Sequence, residues 1–265
     1  MECFLVHSPV RKKEMQRYKV ELSFRGTRYF GWQVQPGQPT VQEVLEKCFS
    51  LFFRRSVSVT GAGRTDTGVH ASCFVAHFDA EELPYTPEDT VYKLNRFLPD
   101  DISLFSIVPV SPDFHARFSA LSRTYLYVMS KVKDPFSTDT AFYYPWPLDV
   151  EKMNEAAAIL LKHDDFTSFS KLHTDVKTNL CHVEKALWEG RREKLTFTIT
   201  ADRFLRNMVR AITGTLLEVG RGKLSEVGFE EIILKRNRCA AGVSVPAHGL
   251  FLTEIRYPSS CFTNF

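Results

Sequence analysis

Hydrophobic and polar residues alternate along several short stretches of the chain, which is the period of a β-strand with one buried face. Val20, Leu22 and Phe24 alternate with polar residues, and residues 74–78 repeat the pattern. Further strands are predicted over residues 56–59, 102–110, 122–130, 250–257 and, as a hairpin around the polar turn 189–194, over 178–188 and 195–200. The chain is therefore rich in short, half-buried strands.

Helical periods lie between these strands. Thr40 begins a Thr-Val-Gln-Glu capping box, the Thr86-Pro87 pair marks a second helix start, and Asp149 precedes an alanine-rich helix that runs to about residue 162. Two more helices are predicted over residues 202–219, closed by Gly220, and 225–236. Strands and helices thus alternate through both halves, which predicts an α+β fold.

The same pattern divides the chain into four parts. Residues 1–15 contain Arg11, Lys12 and Lys13 without a clear period and are expected to form a basic, flexible tail. An N-terminal α+β half is predicted over 16–112, a C-terminal α+β half over 113–258, and a short tail over 259–265.

Composition adds little to this prediction. Hydrophobic residues make up 44% and charged residues 25% of the 265 residues, as in soluble globular proteins. The net charge of +3 is too small to indicate nucleic acid by itself, so local clustering of arginines matters more. The sequence contains no secretory apolar segment and no long apolar run, and a cytoplasmic protein without membrane contact is expected.

Six cysteines lie at positions 3, 48, 73, 181, 239 and 261, and no two form a Cys-x-x-Cys pair. Reduced thiols are therefore expected. The pair Cys181-His182 lacks a second ligand pair at zinc spacing, so no metal site is predicted.

The most informative segment runs from Gly61 to Ala71 and reads Gly-Ala-Gly-Arg-Thr-Asp-Thr-Gly-Val-His-Ala. Its glycines permit positive φ angles and a close approach of a ligand to the backbone. Arg64 and Asp66 stand two positions apart in this loop, with only Thr65 between them. An isolated loop of this kind is most often a surface turn. It lacks the Gly-Lys-Ser/Thr ending of a phosphate-binding loop and is not a dinucleotide-binding fingerprint.

Taken together, these eleven residues closely resemble the catalytic motif of the TruA family of tRNA pseudouridine synthases, G-R-T-D-x-G-V-H-A, with every fixed letter present. Other blocks resemble the same family in the same order along residues 18–257. They are 28–33 (RYFGWQ), 95–102 (NRFLPDDI), 114–120 (FHARFSA), 204–210 (FLRNMVR) and 246–252 (PAHGLFL).

The resemblance implies a fold of two RRM/ferredoxin-like halves, whose mainly antiparallel sheets join into one extended sheet with a central active-site cleft and helices on one side. It implies an isomerase that converts uridine into pseudouridine at positions 38, 39 and 40 of the tRNA anticodon stem-loop. It also implies a homodimer that binds tRNA rather than DNA and uses no metal or organic cofactor.

The resemblance assigns three catalytic residues. Asp66 is the catalytic carboxylate, and attack on C1′, attack on C6 and removal of the 2′ proton all remain open for it. Arg210 is its ion-pair partner, although a solvent-facing or phosphate-binding arginine is the alternative. Tyr125 is expected to stack on uracil and to relay the C5 proton, with Tyr127 as the fallback.

The remaining assignments concern RNA. The target nucleotide must leave its stack to reach an enclosed carboxylate, and Arg64 is expected to fill the vacated space or to hold the adjacent phosphate. Further candidates for a basic RNA-binding cleft are Arg25, Arg28, Arg117, Arg123 and Arg206. Structural roles are expected for His70, His115 and His248.

Two other functions compete with this hypothesis. One is a pseudouridine synthase of the same fold that modifies another RNA. The other is a non-catalytic RNA-binding module, which is disfavoured because the chain lacks an RNP1-type aromatic signature and retains Asp66 and Tyr125. Zinc-dependent base chemistry is also disfavoured, since no His-x-Glu…Pro-Cys-x-x-Cys pattern occurs.

Overall fold

The computed structural model describes residues 15–171, 178–191 and 193–261. Residues 1–14 of the predicted basic tail and the last four residues of the C-terminal tail lie outside this part. Ser259–Cys261 form a single 3-10 turn. Within the described residues, no helix is long and apolar enough to cross a membrane.

Nine strands and five α-helices lie in the described residues. The strands are β1 (Gln16–Phe24), β2 (Thr60–Gly61), β3 (His70–Ala80), β4 (Ile102–Val110), β5 (Ser122–Ser130), β6 (Phe142–Tyr143), β7 (Val183–Arg191), β8 (Lys194–Ala201) and β9 (Leu250–Arg256). The helices are α1 (Val41–Phe53), α2 (Pro87–Asn95), α3 (Val150–Ile159), α4 (Met208–Gly220) and α5 (Glu226–Leu234).

All nine strands join one mainly antiparallel sheet, with the order β4-β1-β3-β9-β5-β8-β7; β2 pairs with β3, and β6 pairs with β5. The chain order β1-α1-β2-β3-α2-β4 with β1 and β3 central is a ferredoxin-like arrangement. The run from β5 to β9 repeats it, with β5 and β8 central and β9 and β7 outside. The predicted α+β class with two such halves in one sheet is confirmed. The boundary at residue 112 stays a prediction.

The two arrangements meet where β3 and β9 pair in parallel. His70 lies opposite Phe251, and Ala71 lies opposite Leu252. The end of the glycine-rich motif therefore contacts the block 246–252, although about 180 residues separate them along the chain. This short pairing joins the two groups of strands into one sheet.

Two hydrophobic cores lie on either side of this seam. The first contains Leu22, Phe49 and Phe74, and the second contains Trp188 and Phe229 among many others. Tyr125 is partly buried and packs against both cores. Its position on β5 therefore places it beside the seam.

Three local predictions are wrong. The strand predicted from residue 178 begins only at Val183, and β7 and β8 extend into the predicted turn 189–194. Residues 56–59 are not a strand, because pairing with β3 involves only the next two residues, Thr60 and Gly61. The helix predicted from residue 202 begins only at Met208. Asn207 has a left-handed backbone with φ of 67°, which cannot continue a right-handed helix toward its N-terminus.

Candidate active site

The loop between β2 and β3 is held by backbone contacts. The Gly68 amide donates to the Tyr29 carbonyl at 3.3 Å, and the Val69 amide donates to the Asp66 carbonyl at 3.1 Å. Gly31 has φ of 89°, and a Cβ atom there would lie 2.2 Å from the Thr65 carbonyl oxygen. Only glycine fits between the two loops, so the segment 28–33 supports the backbone that carries Asp66.

The Asp66 carboxylate is about one quarter exposed and faces two arginines. Oδ2 lies 3.8 Å from Nη1 of Arg210, and Oδ1 lies 3.6 Å from Nε of Arg206. The structure therefore places both arginines of the 204–210 block beside the motif carboxylate. One cationic side chain thus faces each oxygen of the carboxylate.

Arg210 approaches Asp66 from the first turn of α4 and is fixed at a second point. Its Nε donates to the Val245 carbonyl at 2.8 Å, and the Val245 amide donates to the Arg210 carbonyl at 3.2 Å. The preceding turn is held by Asn207, whose side-chain amide donates to the Ser244 hydroxyl at 2.7 Å. The segment before β9 therefore positions the start of α4.

These groups line a cleft of about 580 Å³, which lies in the usual range of roughly 300–1,000 Å³ for small-molecule sites. Its lining residues are Asp66, Thr67, Lys171, Arg206, Asn207, Arg210 and Arg238. Four cationic side chains thus surround one carboxylate. Sequence reasoning missed Lys171, Asn207 and Arg238; only Asn207 lies in a segment that had already been singled out.

Tyr125 and Tyr127 differ in their hydroxyl contacts. Tyr127 is fully buried and its hydroxyl donates to the Pro246 carbonyl at 2.8 Å. Among the described residues, no hydrogen bond to the Tyr125 hydroxyl is found, and its ring packs edge-to-face on Phe204. Burial, followed by the negative charge of Asp66, raises the pKa of Tyr125 to about 12. Of the two phenols, Tyr125 is the one electrostatically coupled to Asp66.

The other predicted RNA-binding arginines do not share one environment. Arg64 is exposed, and within the described chain its side chain has no hydrogen bond or ion pair. Arg28 pairs with Asp101 at 2.6 Å, and Arg25 pairs with Asp139. None of these three lines the cleft around Asp66. Their RNA-binding roles stay predictions.

Arg117 and Arg123, the other two predicted RNA-binding arginines, also do not line the cleft around Asp66. The Arg117 side chain is exposed over the Phe118 ring, 5.5 Å from its centroid. The Arg123 guanidinium donates to the carbonyls of Ala62 at 3.2 Å, Arg117 at 2.6 Å and Asp202 at 2.7 Å. These bonds connect the motif loop to the segment that precedes β5 and to the residue that follows β8. They favour a structural role for Arg123, and RNA binding by it stays a prediction.

Two of the three histidines make structural contacts. His70 is buried; its Nδ1 accepts from the Gly26 amide at 3.0 Å, and its Nε2 lies 3.1 Å from the His248 carbonyl. Burial lowers the pKa of His70, so the ring is neutral and Nε2–H donates. His115 accepts from the Arg117 and Phe118 amides, which closes a local turn. In the described part of the chain, no group of three or more potential metal ligands is found.

Comparison with known proteins places this chain in a family. The family model described as tRNA pseudouridine synthase matches residues 22–119 and 156–258. The chain belongs to this family and is an isomerase that acts on RNA.

Individual relatives cover almost the whole chain. A protein of Bacteroides thetaiotaomicron named tRNA pseudouridine synthase A is 54% identical over 255 residues, covering 94% of this chain and 93% of the relative. Proteins of the same name from Porphyromonas gingivalis and Bacillus licheniformis are 50% and 42% identical, covering 94% and 91% of this chain and 100% and 99% of the relatives.

Proposed function

We propose that this protein isomerises uridine to pseudouridine at positions 38, 39 and 40 of the tRNA anticodon stem-loop, with Asp66 as the nucleophile. The observation that carries the proposal is the Asp66 carboxylate in a cationic cleft, paired with Arg210 and coupled in charge to Tyr125. The name shared by the close relatives supports tRNA as the substrate. The three positions follow from the resemblance to the TruA family.

The reaction breaks the N1–C1′ bond, turns the uracil and forms a C5–C1′ bond. The proton leaves C5 and N1 gains one, so the product is an isomer and no other reactant is consumed. A carboxylate promotes cleavage by attack on C1′, by attack on C6 or by removal of the 2′ proton. Each route uses the Asp66 carboxylate, whose Oδ2 lies 3.8 Å from the Arg210 guanidinium.

Tyr125 is proposed to move the C5 proton and to contact the uracil ring. Since its pKa is about 12, the phenol is neutral at pH 7. It therefore accepts the C5 proton only while passing its own proton on. Its free hydroxyl, judged within the described residues, is available for this transfer.

Base flipping is required because a stacked uridine cannot reach a carboxylate that is only about one quarter exposed. Arg64 lies in the same loop, four positions before Gly68, and its side chain is exposed. We therefore assign it to fill the space that the flipped base leaves in the stack, or to hold the adjacent phosphate. The cations of the cleft supply the attraction for the phosphate backbone.

The family resemblance further supports a homodimer in the cytoplasm. All five cysteines among the described residues are free thiols, which fits a reducing compartment. Sedimentation of the purified protein tests the dimer directly. A monomer at micromolar concentration would contradict that part of the proposal.

The deciding experiment compares Asp66→Asn with Asp164→Asn on an unmodified tRNA transcript that carries uridines at 38, 39 and 40. Asp164 is the control because its side chain is 68% exposed and lies outside the cleft. Pseudouridine mapped nucleotide by nucleotide is expected at the three positions with the wild type and the control. Asp66→Asn is expected to lose about a thousandfold in rate or more, with tRNA affinity largely kept.

The outcomes separate the parts of the proposal. Product at other uridines would overturn the assigned positions but not the reaction. A near-normal rate for Asp66→Asn would overturn the nucleophile. Tight tRNA binding without any product from the wild type would instead indicate a non-catalytic RNA-binding module.

A further inference from the structure

The two arginines beside Asp66 are held in different ways. The Arg210 side chain is 22% exposed, and its Nε is hydrogen-bonded to the Val245 carbonyl while Nη1 faces Asp66. The Arg206 side chain is 58% exposed and reaches Asp66 only through the 3.6 Å contact of Nε with Oδ1. Within the described residues, the Arg206 guanidinium has no hydrogen bond. Arg210 is thus a fixed partner, and Arg206 is a movable one.

The backbone at Arg206 is held by hydrogen bonds, in contrast to its guanidinium. Its carbonyl accepts from the Lys171 amide at 3.0 Å, and the next residue, Asn207, is held by Ser244. The backbone on which Arg206 sits is therefore anchored at its own carbonyl and at the next residue. Rotation of the side chain alone can move the guanidinium between Asp66 and the open side of the cleft.

Each carboxylate oxygen of Asp66 has an arginine beside it. Oδ2 faces Arg210 and Oδ1 faces Arg206, so a nucleotide that approaches either oxygen meets a cation there. Withdrawal of one arginine gives the sugar or the base more room at the carboxylate. Arg206 is the one that moves, because an ion pair this exposed is weak and no hydrogen bond from the described residues holds its guanidinium.

We propose that Arg206 leaves Asp66 when RNA binds and holds a phosphate that flanks the target uridine, thereby uncovering Oδ1. The inference rests on the function proposed above and adds a positioning role for one residue. Arg206, Arg238 and Lys171 line the same cleft, so an entering phosphate meets a cationic surface there. A guanidinium exchanges one anionic partner for another and binds phosphate through two parallel N–H groups.

Through this exchange, the position of the bound RNA would decide whether Oδ1 of Asp66 is accessible to the nucleotide. Without RNA, the Arg206 guanidinium lies beside Oδ1, with its Nε 3.6 Å away. With a phosphate in the correct place, Arg206 is drawn away and the carboxylate keeps only its fixed partner, Arg210. An RNA bound out of register would leave Asp66 covered.

The first test measures the salt dependence of kcat/KM for Arg206→Gln. Arg236→Gln is the matched control, since Arg236 pairs with Asp165 through the same Nε atom, is 68% exposed and lies outside the cleft. Loss of one phosphate contact is expected to make the slope of log kcat/KM against log salt shallower by about 0.7–0.9. Arg206→Gln is expected to raise KM about tenfold, with a much smaller change in kcat, and Arg206→Lys to recover part of the loss. The control is expected to keep the wild-type slope.

The second test removes the proposed partner instead. Synthetic anticodon stem-loops carry one neutral methylphosphonate, either 5′ or 3′ of the target uridine. At one of the two positions, the substitution is expected to raise KM for the wild type but to have no further effect on Arg206→Gln. Additive effects at both positions, or an unchanged salt slope for Arg206→Gln, would overturn the exchange. Either result leaves the proposed function standing if the wild type still forms pseudouridine and Asp66→Asn does not.

Discussion

Two tyrosines on β5 show how the surroundings of a side chain distinguish a candidate catalytic residue from a structural one. Tyr125 and Tyr127 stand two positions apart, so strand alternation directs them to the same face. Yet the Tyr127 hydroxyl donates a hydrogen bond to the Pro246 carbonyl, whereas burial and the negative charge of Asp66 raise the pKa of Tyr125. Alternation alone could not separate the two, and the resemblance to the TruA family had to choose between them.

Substitution of each tyrosine by phenylalanine tests this difference. Tyr127→Phe loses a buried hydrogen bond and is expected to cost about 1 kcal/mol of unfolding free energy, with turnover kept. Tyr125→Phe is expected to keep its stability within about 0.5 kcal/mol and to lose turnover, because only the phenol that relays the proton is removed. Urea unfolding and pseudouridine formation measure both effects. Equal turnover in the two variants would move the proton relay to another group.

At the scale of elements, the accuracy of the sequence predictions depended on what sets each boundary. β4 and β5 begin and end at the predicted residues, since alternation and flanking polar residues define them locally. The predicted start of α4 was wrong because the helix begins after the left-handed Asn207, whose side chain bonds to Ser244, 37 positions away along the chain. Residues 56–59 have a strand-like composition but no pairing partner in the sheet.

The loop that carries Asp66 depends on a neighbouring loop, and glycine substitutions test this. Gly31→Ala would place Cβ 2.2 Å from the Thr65 carbonyl oxygen, whereas Gly37→Ala, at a similar positive φ, meets nothing within 4 Å. Gly37→Ala is therefore expected to cost about 1 kcal/mol from backbone strain and to keep its activity. Gly31→Ala is expected to lose clearly more stability and, in the folded fraction, to lower kcat at least tenfold. Thermal unfolding and turnover per folded molecule measure this, and equal behaviour of the two variants would contradict the loop support.

At the scale of the whole molecule, a buried histidine links stability to pH. His77 on β3 accepts from the Ala116 amide at 3.1 Å, and its ring is 6% exposed. Burial, followed by the charges of Arg17 and His115, lowers its pKa to about 4. Between pH 6.5 and 4 the unfolded chain binds a proton that the folded chain excludes, so stability falls as the pH falls through this range.

His77→Asn removes this titration and keeps an acceptor near the position of Nδ1. The wild type is expected to lose up to about 3 kcal/mol from this group between pH 6.5 and 4, with no effect of the group above pH 7. The variant is expected to show a smaller slope, with a residual part from His70 and His115, whose pKa values are also lowered. Urea unfolding across this pH range measures the slope. An identical slope in the variant would exclude His77 as its source.

The sequence by itself determined the α+β class, most of the strands and the motif around Asp66, because alternation, capping residues and glycines act over a few neighbouring positions. Tertiary structure decided what surrounds Asp66. Arg206 directly precedes α4, Arg210 lies in its first turn, Lys171 and Arg238 come from separate segments, and the β3–β9 pairing joins the half that carries these four to the motif. Contacts between residues this far apart along the chain depend on the packing of both halves, which no local pattern encodes.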